Sequence, residues 1–137
     1  MLSTPIFVKL ALAYMVFSSV LVGAWAQFAP EDFYAHFPIN AHAWIALDGA
    51  FNEHLIRDVG GLNLALASLA LMALLRPALI AARVVGIAAL VFGVPHLIYH
   101  LTHLGIYQPV DQVGNAIALG LNVAVPMLTF LERRRAS

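Results

Sequence analysis

Four long apolar segments constrain the fold of this chain more than any other feature. They cover residues 6–27, 54–75, 79–103 and 110–131. Each is long enough to cross the hydrocarbon core of a bilayer, which takes about 20 residues of helix. Because lipid offers no hydrogen-bond partner to the backbone, only helices and closed barrels can cross it. The sequence therefore predicts an all-α fold, a four-helix transmembrane bundle.

The composition agrees with this fold and excludes several functions. The chain is 62% hydrophobic and 10% charged, whereas a soluble domain carries about 25% charged residues. With 137 residues it is expected to form one domain, 1–137. Its net charge is zero, which gives no indication of nucleic-acid binding. It has no cysteine, which excludes disulfides, thiolate metal sites and iron–sulfur clusters.

The first apolar segment has an alternative interpretation as a signal peptide. Ala24-Trp25-Ala26 resembles the small-residue site at which such peptides are cleaved. However, Lys9 does not lie at the very start, and the apolar stretch is long. We therefore interpret 6–27 as a membrane span.

The basic residues predict the orientation of the bundle. In a four-span arrangement six of the seven fall on one side, and only Arg57 falls on the other. The six are Lys9, Arg76, Arg83, Arg133, Arg134 and Arg135. Basic residues near span ends favour the cytoplasmic side. We therefore expect a multi-pass protein of the cytoplasmic (inner) membrane, with both termini cytoplasmic and the loop 28–53 extracytoplasmic.

That loop, between the first and second spans, is rich in aromatic residues. They are Phe28, Phe33, Tyr34, Phe37, Trp44 and Phe51. Pro30-Glu31-Asp32 is typical of a helix start. The loop is interpreted either as an aromatic belt at the membrane interface or as a short amphipathic helix that covers the outer end of the bundle.

All six histidines are expected at this outer end. His36 and His42 lie in the loop, His54 begins the second span, and the other three end the third span. These three, His96, His100 and His103, fall within about 60° of arc on a helix of 3.6 residues per turn. Hydrophobicity does not require this arrangement, so it is the strongest indication of a site.

Facing stripes from two other spans complete the predicted site. His54 and Asp58 share a helix face that continues through Gly61 and Ala65, and the fourth span carries Asp111, Asn115 and Asn122 on one stripe. Imidazole and carboxylate suit copper, zinc or iron. The predicted metal ligands are His54, Asp58, His96, His100 and His103, with Glu53 nearby. Asp58, Asp111 and Asn115 are available to orient them.

Three other interpretations compete with the metal site. In a purely structural polar cap, Glu53 pairs with Arg57 and Asn52 caps the second span. In a b-type haem protein, His54 and either His96 or His100 are the axial ligands. Proton or ion translocation is poorly supported, because the cytoplasmic half offers few polar residues.

Two motifs carry a resemblance to a known group. The stretch FNEHLIRDVG at 51–60, followed by LNLALA, resembles an (F/Y)NEHLxRDVG motif in small uncharacterised four-span bacterial integral membrane proteins. PHLIYHLTH at 95–103 and Phe37-Pro38 are similar too. The architecture is also loosely DoxX-like. The resemblance implies the four-span fold and supplies no mechanism.

The functional expectation is therefore a small membrane protein with a metal site at its outer end. If it is an enzyme, which the sequence leaves open, metal-assisted redox or hydrolytic chemistry on a lipophilic substrate is the natural class. The alternative is a non-catalytic accessory subunit of a larger membrane complex. Besides the lipid bilayer, the expected partners are a second copy of the chain or such a complex.

Overall fold

A computed structural model describes residues 4–132. Within that range the chain forms six α-helices. They are α1 (Ile6–Phe28), α2 (Pro30–His36), α3 (Trp44–Asp48), α4 (Glu53–Leu75), α5 (Ala82–Thr102) and α6 (Pro109–Met127). Short 3-10 segments follow α5 at Leu104–Ile106 and α6 at Leu128–Leu131. Four of these helices, α1, α4, α5 and α6 with its 3-10 extension, are long and apolar enough to cross a membrane. The predicted all-α fold with four candidate spans is confirmed.

The helix starts follow from local chemistry. The side chain of Asn52 accepts a hydrogen bond of 3.1 Å from the backbone N–H of Leu55 and thereby caps α4, as predicted. Pro30 and Pro109 open α2 and α6, where the missing N–H has no intrahelical partner to lose.

The third span begins later than predicted. The sequence placed its start at residue 79, but α5 begins at Ala82. Residues 77–79 form a turn instead, in which the N–H of Leu79 donates to the carbonyl of Arg76 at 2.9 Å. Pro77, which could have opened a helix, therefore lies in this turn. Apolar residues in a tight turn look like the start of a span in a hydropathy pattern.

The bundle is built from two antiparallel pairs, α1 with α4 and α5 with α6. Glycines set how closely the pairs approach. A Cβ atom on Gly60 of α4 would lie 2.6 Å from the backbone N of Gln27 in α1. A Cβ atom on Gly93 of α5 would lie 3.2 Å from the carbonyl oxygen of Asn122 in α6. Small residues at these crossings allow the backbones to pack closely.

Two apolar clusters hold the ends of the bundle. We call the end that carries segment 28–53 the loop end, and the opposite end, which carries the turn 76–81, the turn end. At the turn end Val8 and Leu12 of α1 pack with Ala70 of α4 and Val85 of α5. At the loop end Ala26, Phe33 and Ile56 form the second cluster. Polar side chains occupy the region between them.

The outer surface of the bundle is apolar. In each span the protein itself buries between 17% and 28% of the most apolar 18-residue window. The side chains of Ile6, Phe17 and Val91 are each about 70% exposed. Such a surface has a favourable environment in lipid rather than in water.

Candidate functional site

A buried carboxylate joins segment 28–53 to the bundle at the loop end. One oxygen of Asp111, Oδ1, accepts a hydrogen bond of 2.6 Å from Nδ1–H of His42 and one of 2.9 Å from Nε1–H of Trp44. Asp111 is only 6% exposed and lies in the first turn of α6, where the helix dipole favours negative charge. This contact fixes the segment over the mouth of the bundle.

A series of aromatic contacts also connects the same segment to the bundle. Trp25 of α1 makes an edge contact with Phe37, Phe37 with Trp44, and Trp44 with Tyr107, at centroid distances of 6.0, 6.1 and 6.3 Å. Tyr107 stacks in turn on His100 of α5. Segment 28–53 therefore packs across the loop end, from α1 to α5.

A second carboxylate stabilises the start of this segment. Asp32 of α2 accepts hydrogen bonds from Nε1–H of Trp25 at 2.6 Å and from Nδ1–H of His36 at 2.8 Å. The Trp25 hydrogen bond, followed by that of His36, lowers the pKa of the Asp32 carboxyl below its usual value near 3.8. The carboxylate therefore stays charged, and both bonds stay formed, throughout the neutral range.

Two histidines of α5 lie side by side within the bundle. His96 and His100 are one turn apart, with ring centroids 4.7 Å from each other. His100 is buried, and His96 is half-buried and stacks on Phe92 at 5.1 Å. Nδ1 of His100 lies 3.3 Å from the hydroxyl of Tyr107. Burial raises the pKa of Tyr107 to about 12, so this hydroxyl keeps its proton at neutral pH.

The third histidine of α5 has a different role. His103 is exposed, and its Nδ1–H donates to the carbonyl of Tyr99 at 2.7 Å. Carbonyls in the last turn of a helix have no intrahelical partner, so His103 satisfies one of them. The ring of His103 also stacks on that of Tyr99 at 4.2 Å. The structure thus separates His103 from the pair His96 and His100.

The predicted residues of α4 lie on the outside of the bundle. Nε2 of His54 is 3.3 Å from Oδ2 of Asp58, and the two side chains are 89% and 61% exposed. The expectation that they face the α5 histidines is therefore wrong. Glu53 pairs with Arg57 at 2.8 Å between Oε1 and Nε, as predicted.

The reason for this difference is the choice of packing face on α4. Its buried face runs through Ile56, Gly60 and Asn63, whereas Gly61 and Ala65 are exposed. Gly60 and Gly61 are consecutive and lie on different faces of α4. The sequence alone therefore does not show which of the two faces packs against a neighbouring helix. Arg57 favours the observed one, since its guanidinium donates to the backbone carbonyl of Gln27 in α1.

No group of three or more histidine, aspartate or glutamate side chains within residues 4–132 is arranged to hold a metal ion. The structure does bring another donor to the level of His100. Gly93 of α5 lies against Asn122 of α6, and Gly86 lies against Thr129. Two helical turns further along the same antiparallel register, His100 of α5 is level with Asn115 of α6. Asn115 is 2% exposed, and among the described residues its Oδ1 is the one buried side-chain nitrogen or oxygen atom without a hydrogen-bond partner.

A mostly apolar cavity with several polar side chains on its walls lies in the middle of the bundle, beside His96. Its volume is about 70 Å³. The polar side chains that line it come from all four spans: Tyr14, Ser18, Ser19, Asn63, His96 and Asn122. Sequence reasoning missed this cavity, because Tyr14 and the adjacent pair Ser18 and Ser19 lie in an otherwise apolar helix and match no known motif. The only signal was that polar residues within a span tend to face inward.

Comparison with known proteins adds nothing to this geometry, since no family model, no curated protein and no solved structure matches the chain. The motif resemblance and the DoxX-like likeness therefore stay predictions.

Proposed function

We propose that this chain is a multi-pass protein of the cytoplasmic membrane, with its loop end outside and both termini in the cytoplasm. Lys9, Arg76 and Arg83 lie in the half of the bundle at the turn end, and only Arg57 lies near the loop end. The sequence adds three arginines at 133–135, which lie outside the described residues. This distribution supports the orientation, because basic residues favour the cytoplasmic side.

We further propose that the loop end binds one transition-metal ion, copper, zinc or iron, between His96 and His100. The observation that carries this proposal is the pair itself, two inward-facing imidazoles one turn apart with centroids 4.7 Å from each other. Histidines at this spacing on a helix can share one ion, as they do in other metalloproteins. The ligand set is thus narrower than the sequence predicted, since His54, Asp58 and Glu53 are exposed and His103 caps its helix.

Two further side chains support the pair as a ligand site. Metal-bound histidines usually donate their second ring N–H to an acceptor, and the hydroxyl of Tyr107 lies 3.3 Å from Nδ1 of His100. Asn115, level with His100 on α6, offers an unpartnered buried oxygen. That oxygen is suited to bind the ion or to accept a hydrogen bond from a water on it.

Such a site leaves coordination positions free for chemistry. Two protein histidines and one amide oxygen do not fill a four-coordinate ion, and catalytic sites keep an open position. His96 also borders the cavity in the middle of the bundle. A substrate would therefore approach from the bilayer side, which favours metal-assisted redox or hydrolytic chemistry on a lipophilic molecule.

Metal content of matched variants tests this proposal. The wild-type protein, purified in detergent and loaded with Cu²⁺, Zn²⁺ or Fe²⁺ in turn, is expected to retain about one equivalent of one metal after desalting. His96→Ala and His100→Ala should lose it, while His54→Ala and His103→Ala should keep it. Retention by all four variants, or no retention by the wild type, would contradict the site. Size-exclusion profiles show whether each variant is folded.

The haem alternative fits this structure poorly. Pockets for drug-sized ligands occupy about 300 Å³ or more, against about 70 Å³ for the cavity found here. One of the two expected axial ligands, His54, is 89% exposed. The described part of the chain therefore does not provide a haem b site between His54 and His100. An absorption scan of the purified protein for a Soret band checks this directly.

A non-catalytic accessory subunit is the second candidate. The loop-end contacts favour it, because His42, Trp44 and Asp111 satisfy one another without an ion. His103 and Tyr99 do so as well. A polar cap of this kind would serve only to hold segment 28–53 in place. The metal measurement separates the two candidates. If the chain is an accessory subunit, the purified protein should retain no metal, and gentle solubilisation of the membrane should yield a larger complex.

A further inference from the structure

The cavity in the middle of the bundle lies at a depth where polar groups are costly. Asn63 is ten residues from the start of α4, which is about 15 Å at 1.5 Å per residue. Tyr14, which also lines the cavity, lies eight residues into α1. In hydrocarbon an unsatisfied polar group costs several kcal/mol. These side chains therefore need partners inside the cavity or on its walls.

The walls satisfy only part of this requirement. The hydroxyl of Tyr14 donates to Oδ1 of Asn122 at 3.0 Å, and Nδ2 of Asn63 donates to the carbonyl of Val59 at 2.9 Å. A hydroxyl can also accept, and an amide has two N–H groups and an oxygen. The two bonds thus leave a hydroxyl acceptor, an amide oxygen and amide N–H groups for a ligand.

The lining also defines the charge and the size of that ligand. None of the described residues that line the cavity is an aspartate, glutamate, lysine or arginine, so an ionised group would be buried without a counter-charge. A volume of about 70 Å³ exceeds one water, which takes about 30 Å³ in the liquid, but is below the ~150 Å³ of a cavity that holds benzene. The space suits an uncharged group of a few heavy atoms.

The cavity opens toward the bilayer. Asn122 lines it and is itself exposed, on the surface that α6 presents beside α1. The neighbours of two lining residues are apolar and exposed, since Phe17 precedes Ser18 in α1 and Leu121 precedes Asn122 in α6, at 69% and 44% exposure. A molecule with an apolar chain can therefore place its polar end in the cavity while the chain stays in lipid.

We propose that this cavity binds the uncharged hydroxyl headgroup of a lipid-soluble molecule, such as a long-chain alcohol, which enters laterally between α1 and α6. Tyr14, Asn63 and Asn122 hydrogen-bond the headgroup, and Phe92 and Leu119 contact the first carbons. The binding does not require the metal ion. Where the proposed metal site is also correct, His96 belongs to both, and the headgroup is the part of the substrate next to the ion.

Thermal unfolding with chosen probes tests the proposal on metal-free protein. The purified chain, treated with EDTA and held in nanodiscs, is heated with increasing 1-decanol, and with decane or decanoate at the same concentrations. Decanol is expected to raise the Tm along a saturating curve, as binding to the folded state requires. Decane and decanoate should not saturate, because one lacks the hydroxyl and the other is charged.

Variants then assign the effect to the cavity. Asn122→Leu should lower the apparent affinity for decanol at least tenfold. Tyr14→Phe, which keeps the ring, should lower the apparent affinity for decanol several-fold. This variant tests the proposal if Asn122→Leu does not fold. Ser68→Ala is the control, since this exposed hydroxyl bonds only to the carbonyl of Leu64 in its own helix.

Two results would overturn the proposal. One is a Tm change that rises linearly with decanol and decane alike, which indicates partition into the bilayer with only water in the cavity. The other is an unchanged affinity in both cavity variants. Because the protein is metal-free here, neither result bears on the metal site, and loss of metal in His96→Ala does not bear on the headgroup.

Discussion

At the scale of single residues, Asp111 connects the parts of the loop end most directly. Its carboxylate is buried at the start of a candidate span and holds two side chains that are about 70 residues away in the chain. A buried carboxylate is stable only when it is paired and hydrogen-bonded. Here His42 and Trp44 both donate hydrogen bonds to it, so the position of segment 28–53 depends on one side chain of α6.

Asp111→Asn should therefore destabilise the protein. The substitution keeps an acceptor oxygen but removes the charge, and hydrogen bonds to charged groups contribute about 1.5–3 kcal/mol each. We expect a loss of about 1–3 kcal/mol, measured as a lower Tm in detergent together with a change in Trp44 fluorescence. Asp58→Asn is the matched control, because its exposed pair with His54 contributes less than about 1 kcal/mol. Equal losses for the two variants would contradict this role for Asp111.

Single residues also show where sequence reasoning ends. The stripe Asp111, Asn115 and Asn122 was recognised from helical spacing, and the first two are indeed buried. The partner His42 was not predicted, because it lies in an irregular segment without a period that would fix its direction. A loop residue has no such geometric rule, so its contacts become known only from the fold.

At the scale of helices, the crossing of α1 and α4 determines which residues face inward. Gly60 lies against the backbone of Gln27, and Gly23 of α1 lies against Leu64, where a Cβ atom would come within 2.9 Å of the backbone N. The two glycines, one on each helix, allow close contact along both partners. This crossing turns Ile56 and Asn63 inward and leaves His54 outside.

Replacing the two adjacent glycines of α4 one at a time tests this crossing. In Gly60→Ala the added methyl would clash with backbone atoms of Gln27 at 2.6 and 2.9 Å, so we expect a loss of about 1–3 kcal/mol from overpacking. In Gly61→Ala the nearest atom is Oε1 of Gln27, at an ordinary 3.7 Å. Here we expect a gain of about 0.5–1 kcal/mol from helix propensity. Unfolding followed by circular dichroism measures both, and the same sign for both would refute the assignment of the packing face.

The helices themselves were predictable from the sequence, whereas the side of each helix that faces the interior of the bundle was not. The bounds of α1 and α4 follow from apolar length and agree with the predictions within one residue. In a membrane protein both the lipid-facing side and the buried side of a helix are apolar, so the period that reveals a core in a soluble helix is weak. The face of α4 was therefore inferred from its polar residues, which in this case point outward near the helix end.

At the scale of the whole molecule, the two ends of the bundle differ in chemistry. The loop end combines histidines, carboxylates and a packed aromatic segment. The turn end has an alanine-rich apolar cluster and carries Arg76 in its connection. The orientation of such a protein matters, because it decides which compartment the polar loop end faces.

Labelling of single cysteines tests the proposed orientation. The chain has no cysteine, so Asn40→Cys in segment 28–53 and Ala78→Cys in the turn 76–81 each provide one exposed thiol. With the loop end outside, a membrane-impermeant maleimide added to intact cells should label Asn40→Cys only. Ala78→Cys should react after the membrane is permeabilised. The physical reason is the excess of basic residues at the turn end, which resists translocation. The reverse labelling pattern would place the histidine pair on the cytoplasmic side, and labelling of both positions in intact cells would contradict the four-span topology.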